Sequence, residues 1–395
     1  MTDNDALDRS QGVVAARGFR AAGVAAGIKE SGAKDLTLVV NDGPSRIAAG
    51  VFTRNTVKAA PVLWSQQVLT TGKLTAVVLN SGGANACTGP EGFQDTHATA
   101  EHVAKVLGIG AIEVAVCSTG LIGQRLPMDA VLSGVDAAAG QLGSTPEHGL
   151  AAATAVMTTD TVPKQSALSA GEWTVGGFAK GAGMLAPNMA TMLSVITTDA
   201  QLPSSADAQA ALRAAVDETF NRLDVDGGTS TNDTVLLLSS GASGVQPGLD
   251  EFTAALTRVS RDLVAQLQAD AEGVTKHVTI TVTGAATDAE AEAVARAVAR
   301  DNLCKTAFFG SDPNWGRVAM AVGNAAEFDP QRLDITINGV RVCEGGAAGE
   351  DRAKADLSGT DITVEVDLHA GPGRATVLTT DLSHGYVEEN SAYSS

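Results

Sequence analysis

The sequence predicts an α+β protein made of layered, mixed β-sheets flanked by helices, and three observations carry that prediction. Short runs rich in Val, Ile and Leu occur in neighbouring pairs, such as 36–40 and 48–52. Helical stretches are too few for the strict strand and helix alternation of a doubly wound parallel sheet. Aromatics make up 4% of the chain while glycine occurs 43 times, so the cores must be built from small and branched aliphatic side chains.

The elements follow in order. Strands are expected at 36–40 and 48–52, joined through Asn41-Asp42-Gly43-Pro44-Ser45, whose residues favour a turn. Strands at 75–79 and 113–117 come next, then helices at 127–142 and 148–157. The second half repeats the style, with strands at 192–197, 235–239, 278–282, 333–337 and 375–379 and helices at 206–223, 251–272 and 288–302. In the middle one of these helices Phe252, Leu256, Val259, Leu263 and Leu267 recur three and four residues apart and define one buried stripe.

At 395 residues the chain is long enough for two to three core-forming units. A net charge of −18 argues against nucleic acid or an anionic membrane as partner. Cys87, Cys117, Cys304 and Cys343 form no C-x-x-C pair and have no nearby histidine at metal-ligand spacing, so they read as reduced thiols and no metal site is expected. The first 20 residues hold acidic side chains and no signal-like apolar run, and no segment approaches a membrane span. The expectation is a soluble cytoplasmic protein.

The segment from Lys180 to Ile196 is the most informative. A Gly/Pro stretch delivers Ala190 and then Thr191, which begins an apolar run. A hydroxyl there could attack its own preceding peptide bond, and cleavage would leave Thr191 with a free α-amine beside its Oγ, a base suited to activate it. That amine has an ordinary pKa near 7.7–8.0 and needs no histidine. Taken alone, a loop entering a strand explains the segment better.

Other segments change the balance. Ala49-Gly50-Val51-Phe52-Thr53-Arg54-Asn55, Asn80-Ser81-Gly82-Gly83-Ala84-Asn85-Ala86-Cys87, Ser118-Thr119-Gly120-Leu121-Ile122-Gly123 and Met157-Thr158-Thr159-Asp160-Thr161 precede it. Asp226-Gly227-Gly228-Thr229-Ser230-Thr231-Asn232-Asp233-Thr234, Gly310-Ser311-Asp312-Pro313-Asn314-Trp315 and Tyr386-Val387-Glu388-Glu389-Asn390 follow it. Together they closely resemble the glutamate/ornithine N-acetyltransferases of arginine biosynthesis. Gly83, where that family usually has Asn, and Gly228, where it usually has an acidic residue, depart from the pattern and put local hydrogen bonding in question.

The resemblance implies a sandwich of two sheets between helical layers, of the self-cleaving, N-terminal-threonine type. Cleavage between Ala190 and Thr191 would give an α chain, 1–190, and a β chain, 191–395, assembled as two of each. It makes Thr191 the acetyl acceptor and gives Thr119, by its hydroxyl, and Gly120, by its N–H, to the oxyanion hole. Thr158, Lys180, Thr191, Glu272, Asn390 and Ser395 would bind substrate. The implied reaction moves acetyl from N2-acetylornithine to glutamate by a ping-pong route and uses no cofactor. Acetyl-CoA would enter only as substrate of a second, glutamate-acetylating activity, whose determinants are not a legible motif.

Without the resemblance these residues read blandly. Ser118-Thr119-Gly120 follows a predicted strand, where a plain turn and an anion site fit equally well. Lys180, eleven residues before Thr191 in a Gly-rich stretch, reads as a solvated loop lysine, and Thr158 as a helix-end hydroxyl. Glu272 ends the helix 251–272, opposing its dipole at about 0.3–1 kcal/mol. Asn390 and Ser395 read as a frayed terminus. Arg20-Ala21-Ala22-Gly23-Val24-Ala25 matches the R-x-x-G-x-A pattern of acetyl-CoA-dependent acetyltransferases, but no strand precedes it and the match reads as coincidence. Two other functions compete: a self-processing amidohydrolase or aminopeptidase, in which water resolves the acyl-enzyme, and a non-catalytic metabolite-binding protein, which would remain uncut.

Overall fold

The structure, a computed structural model, describes residues 6–184 and 192–392. Ala190, Thr191 and Ser395 lie outside the described residues. The first part runs β1 (Phe19–Val24), β2 (Leu36–Asn41), β3 (Ala48–Phe52), α1 (Ala60–Val68), β4 (Ala76–Asn80), α2 (Gly89–Leu107), β5 (Val114–Ser118), α3 (Met128–Ala139), α4 (Pro146–Ala155), β6 (Lys164–Ala170) and β7 (Trp173–Lys180). Next come β8 (Leu193–Thr198), α5 (Ser205–Glu218), β9 (Thr234–Ser239), α6 (Leu249–Ala269), β10 (His277–Ala285), α7 (Asp288–Arg300), α8 (Asn302–Phe309) and α9 (Trp315–Gly323). The chain closes with β11 (Asp334–Ile337), β12 (Val340–Glu344), β13 (Ala347–Ala348), β14 (Asp361–Asp367), β15 (Gly373–Thr380) and α10 (His384–Ala392).

Three sheets result, with strand orders β1-β2-β4-β5, β3-β9-β8-β7-β6 and β13-β12-β11-β14-β10-β15. Each is mixed: β4–β5, β8–β9 and β10–β14 are parallel pairs within otherwise antiparallel sheets. The layered α+β expectation is met. Alternation of side chains along the five-stranded sheet sorts two cores. Phe178, Val195, Leu236 and Leu238 join the four-stranded sheet in one, while Val175, Ile196, Val235 and Leu237 pack with α5 and α6 in the other. On the four-stranded sheet Leu36 packs on α3 at Gly134, and its neighbour Thr37 points to the opposite face, where its Oγ1 donates to Ala152 O of α4 at 2.7 Å. The predicted stripe Phe252, Leu256, Val259, Leu263 and Leu267 is wholly buried, each side chain contributing about 1.5–3 kcal/mol. The six-stranded sheet forms a third core, with Val278, Ile280 and Val282 against Val294 and Val298 of α7.

Four differences from the sequence reading have physical causes. Strands β2 and β3, adjacent in sequence, belong to different sheets; Asn41 bridges the turn, its Nδ2 donating to Ser45 O at 3.0 Å and to Ser239 O at 3.2 Å. The hairpin β6–β7 went unread because β6 opens with Lys164-Gln165-Ser166 and β7 contains Gly176-Gly177. A Cβ at Gly177 would lie 2.8 Å from Val195 O, so close strand approach, not loop freedom, requires that glycine. Helix α6 ends at Ala269, which places Glu272 beyond the helix and removes the dipole argument. Arg20 to Val24 lies within β1 itself, so the R-x-x-G-x-A match is a strand and not a strand-to-helix turn. Among the described residues no helix is long and apolar enough to cross a membrane.

Candidate active site

Because β4 and β5 run parallel with Asn80 opposite Ser118, their C-terminal ends emerge side by side. Asn80 fixes the corner they form. Its backbone oxygen accepts from Thr119 N at 3.0 Å, its Oδ1 accepts from Ser118 Oγ at 2.6 Å, and its Nδ2 donates to Gly83 O at 3.0 Å. Gly83 N in turn donates to Thr119 O at 3.0 Å. The Thr119–Gly120 peptide is trans, so its N–H points opposite to that engaged carbonyl. Both residues line a cavity of about 210 Å³, and no described residue accepts from Gly120 N. Gly120 has φ +127°, and a Cβ there would stand 2.5 Å from Gly83 N, so only glycine fits.

Lys180 is the buried last residue of β7 and not a solvated loop lysine. Its Nζ donates to Thr158 Oγ1 at 2.7 Å and to Thr119 Oγ1 at 3.4 Å, and lies 3.9 Å from Asp160 Oδ2. The contact occupies a lone pair of Thr119 and leaves its hydroxyl proton free to donate. Burial pushes the Lys180 amine below its ordinary pKa, with Lys164 and Lys29 adding repulsion, while Asp160 opposes the fall.

Asp160 organises the floor. Its Oδ1 accepts from Lys164 Nζ and from Gly181 N, both at 2.7 Å, and its Oδ2 accepts from Thr158 N at 3.0 Å. Burial alone would raise its pKa, but Lys180 and Lys164 overcome that and hold it at about 2. A carboxyl depressed in the folded state stabilises above its unfolded value of 3.8, and that contribution is lost as pH falls through about 2. Asp160→Asn removes one partner from a buried charge cluster and is expected to destabilise by about 3–5 kcal/mol. Urea denaturation at neutral pH checks this, and the variant should lack the Asp160 share of the stability lost on acidification.

The mouth is formed by chain segments far apart in sequence. Glu272 donates its backbone N–H to Ala182 O at 3.1 Å. Helix α10 folds back beside it, anchored where Tyr386 N donates to Ser383 Oγ at 3.1 Å and Ser383 Oγ donates to Gly273 O at 2.5 Å. Asn390 is therefore not frayed; its Nδ2 donates to Glu272 Oε2 at 2.9 Å. The structure brings Thr119, Gly120, Thr158, Glu272 and Asn390 to one cavity, with Lys180 bonded beneath it.

Three buried residues had no role in the sequence reading: Asp160, Asn232 and Asp233. Asp233 Oδ1 accepts from Met192 N at 3.0 Å, tethering the residue that follows Thr191. Burial pushes its carboxyl well above the ordinary range, against the pull of the Met192 N–H and Lys180. An acidic residue two positions before the apolar run Val235-Leu236-Leu237-Leu238 was the available signal for it. The two departures leave the backbone bonds intact: Gly83 keeps both of its own, with Leu126 Cδ2 2.7 Å from where a Cβ would sit, and Gly228 N donates to Asp226 Oδ1 at 3.1 Å.

Among the described residues the Gly120 N–H has no partner, the Thr119 hydroxyl beside it is anchored and the Lys180 amine lies buried beneath, a set of donors suited to the developing charge of acyl transfer. The chain belongs to the ArgJ family, whose sequence model matches residues 20–395. It is 64% identical to the arginine biosynthesis bifunctional protein ArgJ of Mycolicibacterium paratuberculosis, over 98% of both chains. It is 62% identical to the protein of that name from Streptomyces coelicolor, over 97% of this chain and 100% of the other. Among solved structures, ornithine acetyltransferase from Mycobacterium tuberculosis, complexed with ornithine, is 65% identical with a TM-score of 0.46. That match covers 48% of this chain and 100% of the other.

Proposed function

We propose that this acyltransferase of arginine biosynthesis moves the acetyl group of N2-acetylornithine to glutamate through an ester on Thr191, after cutting itself between Ala190 and Thr191. Family membership supports the transferase reading and does not favour the hydrolase. The observation that supports the site assignment is that Gly120 lines the cavity beside Thr119 and its N–H has no partner among the described residues.

Thr191 Oγ attacks the acetyl carbonyl carbon while its α-amine takes the hydroxyl proton. The carbonyl oxygen becomes anionic and accepts from Gly120 N–H and Thr119 Oγ1, whose fixed donors favour that charge. Collapse breaks the C–N bond, and ornithine leaves with the proton. The glutamate α-amine then attacks the ester carbon, N-acetylglutamate departs, and Thr191 Oγ recovers a proton. Lys180, through Thr158 and Thr119, supplies positive potential for a carboxylate, whereas Glu272 with Asn390 offers an acceptor for an amine. Ser395 completes this set in the proposal. No cofactor takes part, and the cut halves assemble as two α and two β chains in the cytoplasm.

Incubation of the cut protein with acetylornithine is expected to add roughly 42 Da, one acetyl group, to the fragment beginning at Thr191. Adding glutamate should remove it, and initial-rate plots should be parallel. Intersecting plots, or acetate as the main product with glutamate present, would reject the acyl-enzyme route.

A further inference from the structure

Asn232 is a buried side chain of the cavity wall, 4% exposed. Its Nδ2 donates to Ala84 O at 2.6 Å and to Ser118 O at 2.8 Å, and its Oδ1 accepts from Thr231 Oγ1 at 2.5 Å. Two carbonyl oxygens can only accept, so the amide nitrogen must face them, and the Thr231 hydroxyl completes the set.

Those two carbonyls belong to the two arms of the corner that presents Gly120 N–H. One arm carries Gly83 and Ala84, the other Ser118 and Thr119, and they meet where Gly83 N donates to Thr119 O. The Ser118–Thr119 peptide is held on both edges, by Asn232 at its oxygen and by Asn80 O at its nitrogen. With that plane fixed, the Thr119 side chain and the next peptide have a defined direction. The following residue, Asp233, accepts from Met192 N, so consecutive side chains hold the oxyanion corner and the start of the strand after Thr191.

We infer that Asn232 is a positioning residue for acyl transfer, aiming the Thr119 hydroxyl and the Gly120 N–H by clamping the peptide before them. The inference rests on the acyl-transfer reading above. It predicts a defect confined to the step in which charge develops on the carbonyl oxygen. Misplacing the two donors by about 1 Å should cost up to about 100-fold in rate.

Asn232→Ala is expected to lower kcat by about 10–100-fold with KM for acetylornithine within about threefold. Combined with Thr119→Ala it should add little, because both changes damage one device. A merely structural role predicts that the two losses multiply, or that only thermal stability falls. Thr231→Val, which removes the hydroxyl that anchors Oδ1, should lower kcat by about 3–10-fold with KM held; it decides the question if Asn232→Ala fails to fold or to cut. Kcat within twofold of the parent in every variant that folds and cuts, or multiplicative losses, overturns the inference. A parent chain that transfers no acetyl group overturns the underlying reading instead, and the two failures are thereby distinct.

Discussion

Thr191→Ala is expected to yield one uncut chain of 39.9 kDa and to lose acetyl transfer by about 10⁴-fold or more. The effect is so large because one substitution removes three things. The hydroxyl that attacks the Ala190 carbonyl is gone, so the α-amine is never released, and the acceptor oxygen for acetyl is missing as well. Thr191→Ser keeps a hydroxyl and should still cut. A denaturing gel with intact mass measurement reads the outcome, and two fragments from the alanine variant would refute self-cleavage by this residue.

Thr119→Ala is the second large effect, expected to reduce kcat by about 10²–10³ with little change in KM. The Thr119 hydroxyl has its lone pair occupied by Lys180 at 3.4 Å and its proton available, so it contributes most when the carbonyl oxygen carries charge. Glu272→Gln provides the contrast. In the proposed reaction its carboxylate meets the substrate amine before any bond changes, so KM for acetylornithine should rise more than kcat falls. If Thr119→Ala, cut normally, loses only binding, the oxyanion role is wrong. The state of cleavage must be read first by gel, because an uncut variant is inactive for another reason.

What the sequence disclosed follows from how far each signal reaches along the chain. Strands β2, β3, β8 and β9 and helix α6 were legible because their apolar spacing is local and strong. The turn 41–45 was legible as a turn, but the side chain that decides its geometry, Asn41, bonds across to Ser239 in another sheet. Lys180 could not be seen as buried, since its partners Thr119 and Thr158 are 61 and 22 residues away. Glu272 and Asn390, 118 residues apart, meet only because α10 folds back. The family resemblance named those residues; spacing alone would not have joined them. Asn232 and Asp233 sat inside a quoted motif, yet their bonds reach Ala84, Ser118 and Met192, none of which the local pattern indicates.

The five-stranded sheet takes β3, β6 and β7 from before residue 191 and β8 and β9 from after it, with β8 and β9 between β3 and β7. A break at 190/191 therefore divides the covalent chain without dividing the fold. While the chain is whole, the loop between β7 and β8 keeps those strands at high effective concentration, so the sheet assembles as a first-order event. Once cut, the halves are held by backbone ladders and two shared cores, and they cannot part without exposing both. Their reassembly after denaturation becomes second order in fragments. Continuity of the chain thus speeds the building of this site, and in the proposed reaction its loss precedes use, which gives the precursor a direction in time that an uncut enzyme lacks.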